Sequence, residues 1–271
     1  MFLARLLVLF SLVCISCAHS SFEQKQLKHA LDFATSNRLE LEILLQHYTY
    51  DSLKLEAAKF LIRNMPHCYS YQQGGEMDSV KRVRTYYSPF GQIDQTYARR
   101  WGHYTYRNLP KIYDAHIITA EYLIDNIDRA FDNWQKRPWN RSLSFEDFCE
   151  YLLPYRIGDE PLEEWRELYE KKYGYLLDSI YKGSDVVEAA NLVSRHLQEP
   201  VFIYCEDFEL PHIGPRYLFS HRYGSCVDAA DIVTYAFRAV GIPCMEDTDA
   251  RGGHVWNVVR DTTGRDVPIG I

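Results

Sequence analysis

The sequence predicts an α+β fold, a helical N-terminal region followed by a smaller core in which one helix precedes strands. Three observations predict it. Apolar residues recur at helical spacing through most of the stretch from Phe22 to Leu197. Near residue 200 the character changes to a short strand-prone run, Pro200-Val201-Phe202-Ile203-Tyr204. A helix from about Cys226 to Val240 then meets the stop Gly241-Ile242-Pro243, and strand-like segments follow around residues 244–248 and 254–259.

Each element has a local reason. Met1 to Cys17 carries Arg5, an apolar run from Leu6 to Ile15 and the small Ser16, too short to span a bilayer and shaped as a secretory signal. Residues from Phe22 to about Met65 read as helical; Asp51 is a cap-type residue before Leu53, Leu55, Ala58, Leu61 and Ile62, and Pro66 stops the helix. Gly74, Gly75, Ser88, Pro89 and Gly91 mark 72–91 as a loop. Between Asp114 and Asn133, Ile117, Ala120, Leu123, Ile124, Ile127 and Ala130 form one stripe. Ser144-Phe145-Glu146-Asp147 is a capping start for a short helix through Tyr151. Pro161 opens another helix with Trp165, Leu168 and Tyr169, and 185–197 is amphipathic with Val186, Ala189, Val193 and Leu197 inward.

Chemistry concentrates in Gly224-Ser225-Cys226, Arg238-Ala239-Val240-Gly241-Ile242-Pro243 and Gly253-His254-Val255-Trp256-Asn257. Cys226 sits at the predicted first turn of its helix, where unpaired amides and the helix dipole favour a thiolate and can hold an oxyanion. Gly224 permits a tight turn before it and leaves room for a substrate. Val227, Ala230, Thr234, Phe237 and Val240 form the helix's hidden side and fix the cysteine against the core. In the following strand His254, Trp256 and Val258 alternate with Val255, Asn257 and Val259, so a histidine at the strand start can serve as base to the thiol.

These residues resemble the transglutaminase-like superfamily, whose members share a papain-like core. Cys226 after its glycine, Arg238 to Pro243, and His254 with Trp256 match its pattern residue by residue. More weakly, Leu53 to Pro66 and Leu152-Leu153-Pro154-Tyr155-Arg156 resemble the helical extension of bacterial members. The resemblance implies Cys226 as nucleophile and His254 as base in acyl transfer at a peptide or carboxamide carbonyl. It implies hydrolysis more often than amine transfer, a protein or peptide substrate, and neither metal nor organic cofactor. The family's third catalytic residue is an Asp on the next strand, about Arg265 to Ile271 here. Asp266 stands early in it and Asp261 looks like a turn residue, so that member is one of these, another residue, or beyond the chain end. Because the family core continues into further strands, the chain is expected to be a fragment. The organisation is then a signal over 1–17, a helical region over 20–180 and an incomplete transglutaminase-like core over 181–271. Cys14-Ile15-Ser16-Cys17 resembles a bacterial lipoprotein processing site with Cys17 lipidated, although Cys14 holds the place of the usual leucine; cleavage after Ala18 is the alternative. Either implies export, to the periplasm or to an outer-membrane anchor.

Other readings of the same residues compete. Alone, Cys226 would be a buried free thiol or the disulfide partner of Cys244, and His254 a structural histidine. Cys205, His212, His221 and Cys226 could ligate zinc, but their spacing fits no ordinary ligand pattern. Tyr69, Tyr71, Tyr86 and Tyr87 could line a peptide or glycan groove, the feature of a non-catalytic envelope protein that only binds. The net charge of −7 excludes a general nucleic-acid footprint; Lys81, Arg82, Arg84, Arg99 and Arg100 read as solvated surface.

Overall fold

The computed structural model describes residues 21–84, 106–199, 202–204, 210–251 and 253–270. It mixes abundant helix with a smaller amount of strand, an α+β architecture. The expected signal region with Cys17, and Tyr86, Tyr87, Arg99, Arg100 and Cys205, lie outside the described residues. The described residues form two compact units, one within 1–68 and 113–120, the other within 69–112 and 121–271.

The first unit is helical. The stretch from Phe22 to about Met65, read as helical, holds three helices, α1 (21–33), α2 (Arg38–His47) and α3 (Ser52–Asn64). Thr35, at φ 50°, opens the 3-10 turn between the first two. Asp51 caps α3 by accepting from the Lys54 amide at 3.1 Å. Ala57, Ala58, Leu61 and Ile62 bury one side of α3 against Leu41 and Leu44 of α2 in a shared apolar interior. Asn37 Nδ2 donates to Ala115 O and Ile118 O, tying the later segment of this unit to the α1–α2 turn.

In the second unit, β1 (Tyr69–Tyr71) is followed by α4 (Gly75–Arg84), where a loop was expected. Gly74 and Gly75, both at positive φ, start that helix, and Met77 is buried against Tyr71 and Tyr106. The short strand β2 (Lys111–Tyr113) pairs with β1. α5 (Ala120–Lys136) buries Leu123, Ile127 and Ala130; Ile117 of the expected stripe is exposed because it lies in the turn before the helix. Ser144 caps α6 (Phe145–Tyr151), its Oγ accepting from the Asp147 amide at 3.0 Å. α7 (Arg166–Tyr175) begins five residues later than Pro161 predicts. The Glu163 carbonyl and carboxylate are engaged by Tyr122 and the Arg216 amide, which hold 161–165 out of the helix. Asp185 caps α8 (Val186–Leu197), which buries Val186, Ala189, Val193 and Leu197.

β3 (Ile203–Tyr204) pairs in parallel with β4 (Tyr223–Gly224), and α9 (Pro215–Ser220) lies between them in sequence. α10 (Cys226–Val240) is buried on all sides, not along one stripe: Asp228 and every residue from Ala230 to Val240 are interior. It packs against α7 and against an antiparallel sheet of order β5 (Cys244–Thr248), β6 (Val255–Arg260), β7 (Asp266–Ile269).

The far end of α10 is unusually well held. Asn133 Nδ2 donates to Ala239 O, Arg137 Nε to Val240 O, and Trp139 Nε1 and Asn140 Nδ2 both to Gly241 O, at 2.8–3.1 Å. These are the carbonyls that a helix end leaves unsatisfied. Gly241 closes the helix in the left-handed region at φ 82°, and a Cβ there would stand 2.8 Å from Arg137 Cγ. Arg238 is buried, with Nε donating to Tyr151 O and Cys244 O and Nη1 to Arg156 O. The Arg-to-Pro run is thus a structural anchor for the helix that carries Cys226.

Candidate active site

Cys226 is the first residue of α10 and is half-buried with a free thiol. Ser225 precedes it in extended conformation, and both its amide and its Oγ donate to Asp228 Oδ2, at 2.8 and 3.0 Å. That carboxylate explains Gly224. A Cβ at 224 would overlap the Asp228 side chain, so the space beside this backbone is filled by the cap and is not left for a substrate.

On the helix, Cys226 lies one turn before Ala230 and two before Thr234, on the side that meets the sheet. Thr234 Oγ1 donates to Glu246 Oε1 at 3.1 Å, and Asn257 Nδ2 donates to Ala230 O at 3.1 Å and Thr234 Oγ1 at 2.9 Å. Cys244 and Glu246 face Val259 and Asn257 across the β5–β6 ladder. Descending α10 from Arg238 to Thr234 therefore descends β6 from Val259 to Asn257. The same direction continued leads to Cys226 on the helix and His254 on the strand. The two residues share one end of the α10–sheet layer.

They are not joined there by a hydrogen bond: among the described residues neither the Cys226 thiol nor the His254 imidazole has a hydrogen-bond partner. His254 stands one residue before β6, exposed, with its ring 6.0 Å from that of Trp256. Asn257, turned toward α10, sets the alternation of the strand, and carried back it gives His254 the face away from the helix. An imidazole that serves Cys226 has to turn about the strand end, where the His254 carbonyl accepts from the Asp249 amide at 3.1 Å.

Neither acid offered as a third member reaches His254. Asp266 pairs with Arg260 in the β6–β7 register, at the opposite end of β6, and accepts from Tyr151 Oη at 3.0 Å. Asp261 is a turn residue that accepts from the amides of Thr263 and Arg265; those bonds, with the Thr263 hydroxyl foremost, hold its carboxyl well below the usual range.

The disulfide reading of Cys226 with Cys244 does not hold, and the zinc reading includes Cys205, which lies outside the described residues. Cys226 and Cys244 are both free thiols. Cys244 is fully buried level with Arg238, and burial pushes its thiol up to about 12. His221 stacks on Tyr217 at 4.2 Å, and no group of three potential metal ligands occurs among the described residues.

No family model, curated protein or solved structure matches this chain. Its chemistry rests on its own side chains.

One cluster beside the site escaped sequence reasoning. His212 Nδ1 lies 2.9 and 3.0 Å from the two oxygens of Asp231, which is fully buried on α10, and its amide donates to Asp159 Oδ1. Burial opposes the imidazolium, but the charge and hydrogen bond of Asp231 outweigh it and lift His212 to about 10. Glu246, hydrogen-bonded to Asp231, is raised well above the carboxylate range by burial and by that neighbour. Asp231 is raised too, by burial first. The cluster therefore holds an imidazolium against the Asp231 carboxylate, with Glu246 hydrogen-bonded beside it. A histidine charged at neutral pH is not a base, so His212 is a structural ion and does not compete with His254. The signal available was Asp231 itself, an acid inside a helix otherwise filled with apolar residues.

Proposed function

We propose that Cys226 is the nucleophile and His254 the proton carrier of a thiol-dependent acyl transfer at a peptide or carboxamide carbonyl. In this reading the helix α10 with the β5–β6–β7 sheet is the centre of a transglutaminase-like core. The supporting observation is the shared end: a free, half-buried thiol at the start of a 15-residue helix, and a free imidazole at the start of the strand packed along it.

The Cys226 thiol gives its proton to His254 and its sulfur attacks the carbonyl carbon, forming a C–S bond. The oxyanion is met by amides of the first turn of α10. The C–N bond breaks as the imidazolium protonates the departing amine. Water then gives a proton to His254 and attacks the thioester, releasing a carboxylic acid and restoring the thiol; with an amine as acceptor the product is a new amide. Hydrolysis is the expected outcome for an exported protein surrounded by water, and lipidation at Cys17 is the proposed anchor.

The exposed imidazole favours a second reading, a protein that keeps this arrangement to bind a peptide or glycan without turnover. Iodoacetamide labelling of the purified protein from pH 4 to 9 separates the two. An active pair labels Cys226 rapidly well below the free-thiol pKa of about 8.5, and His254→Ala removes that low-pH limb. An ordinary thiol profile indifferent to His254 leaves the binding reading.

A further inference from the structure

We infer that Asn257 is the positioning residue of the Cys226–His254 pair, its side-chain amide fixing how far strand β6 stands along helix α10. The inference rests on the pairing proposed above.

The amide sits where three elements meet. Asn257 is 3% exposed. Its Nδ2 donates to Ala230 O at 3.1 Å and to Thr234 Oγ1 at 2.9 Å, and stands 3.7 Å from Cys244 Sγ. A backbone carbonyl accepts and cannot donate, so the Ala230 contact fixes which end of the amide faces the helix. The Thr234 hydroxyl donates its own hydrogen bond to Glu246 Oε1 on β5. Glu246 leans on Asp231, and Asp231 holds His212. The result is a buried polar chain from β6 across α10 to β5 and the loop at His212, in which Thr234 both accepts and donates.

Position gives this chain its consequence. Asn257 lies three residues from His254 on one strand, and Ala230 one turn from Cys226 on one helix. Apolar neighbours resist separation of strand and helix but tolerate sliding, whereas a hydrogen bond to one carbonyl and one hydroxyl does not. A slip of β6 by one residue moves His254 about 3.3 Å along the helix, enough to misplace a proton transfer.

The test is the pH profile of Cys226 alkylation in the whole purified chain, with wild type, His254→Ala, Asn257→Leu, Thr234→Val and Thr234→Ser, each checked by thermal melting. Leucine and valine keep the volume and remove the polar groups; serine restores the hydroxyl. The expected result is an intact melt and an unchanged rate near pH 9, where any exposed thiol ionises. Near pH 6 the rate falls toward that of His254→Ala in Asn257→Leu, by up to about a hundredfold. Thr234→Val falls partway and Thr234→Ser stays with wild type. If Asn257→Leu fails to fold, the Thr234 pair decides by the same comparison. A folded Asn257→Leu or Thr234→Val with the wild-type profile overturns the inference and leaves the pair standing. A wild type that lacks the His254-dependent limb overturns the pair itself, and the inference with it.

Discussion

Three side chains at the core of this protein, His212, Asp231 and Glu246, hold protons more tightly than water would let them, and their neighbours explain why. His212 lies against Asp231 with only 24% of its side chain exposed. In the unfolded chain its pKa is about 6.5 and in the fold about 10. A raised folded value means that the ion pair contributes fully below pH 6.5 and is lost as pH climbs through about 10. Asp231 and Glu246, also raised, shift stability in the same direction, since the fold holds protons that the unfolded chain releases. His212→Gln should therefore lower stability by about 3 kcal/mol at pH 6, the scale for breaking a buried pair, with the gap to wild type closing toward pH 10. Urea unfolding at the two pH values measures this; a gap independent of pH would remove the ion pair from the account.

At the scale of the element, α10 is built from its two ends inward. Its start and stop are legible in the sequence, because a turn glycine before Cys226 and a Gly-Ile-Pro stop have local causes. So are the caps at Asp51 and Ser144. What the sequence hides is everything made by partners far apart along it. Asp228 lies against Gly224, and a reader of the glycine alone assigns that space to a substrate. Gly74 and Gly75 look like loop residues until Met77 is seen buried against Tyr71 and Tyr106. Asp231 finds its ion 19 residues back, at His212, a distance no periodicity encodes. The orientation of His254 is hidden for a related reason: strand alternation assigns it a face only if the ladder includes it, and the ladder begins one residue later. The Gly224 cap gives a direct prediction. Gly224→Ala should displace the Asp228 carboxylate from the Ser225 amide and cost about 1 kcal/mol, the worth of a helix cap. Asp228→Ala should cost a similar amount, and the double variant less than the sum, because both changes remove the same contact. Additive losses in a denaturation cycle would show that the two residues act separately.

Across the molecule's larger unit, the helices before residue 200 and the sheet after it are joined by two buried arginines, Arg166 and Arg238, that have no carboxylate partner among the described residues. Arg166 is the central one. Its Nε donates to Asn126 Oδ1 of α5 at 2.5 Å, Nη1 to Arg238 O of α10, and Nη2 to the carbonyls of Leu152, Leu153 and Pro154 beyond α6. Burial, and then the nearby Arg238, draw the guanidinium down to about 9, which still leaves it charged at neutral pH. A single planar fork thus satisfies acceptors from three elements and joins the helix carrying Cys226 to the helices in front of it. Lysine offers a charge and three donors from one point and cannot span that set. Arg166→Lys should then lose about 3 kcal/mol, a fall of roughly 10 °C in the melting temperature for a chain of this size. Lys171→Ala is the control: its side chain is 73% exposed in a surface pair with Glu167, and its loss should stay within about 1 kcal/mol. Calorimetry of the two variants decides the point, for if Arg166→Lys melts with Lys171→Ala, the guanidinium is a passenger in a core that apolar packing alone sustains.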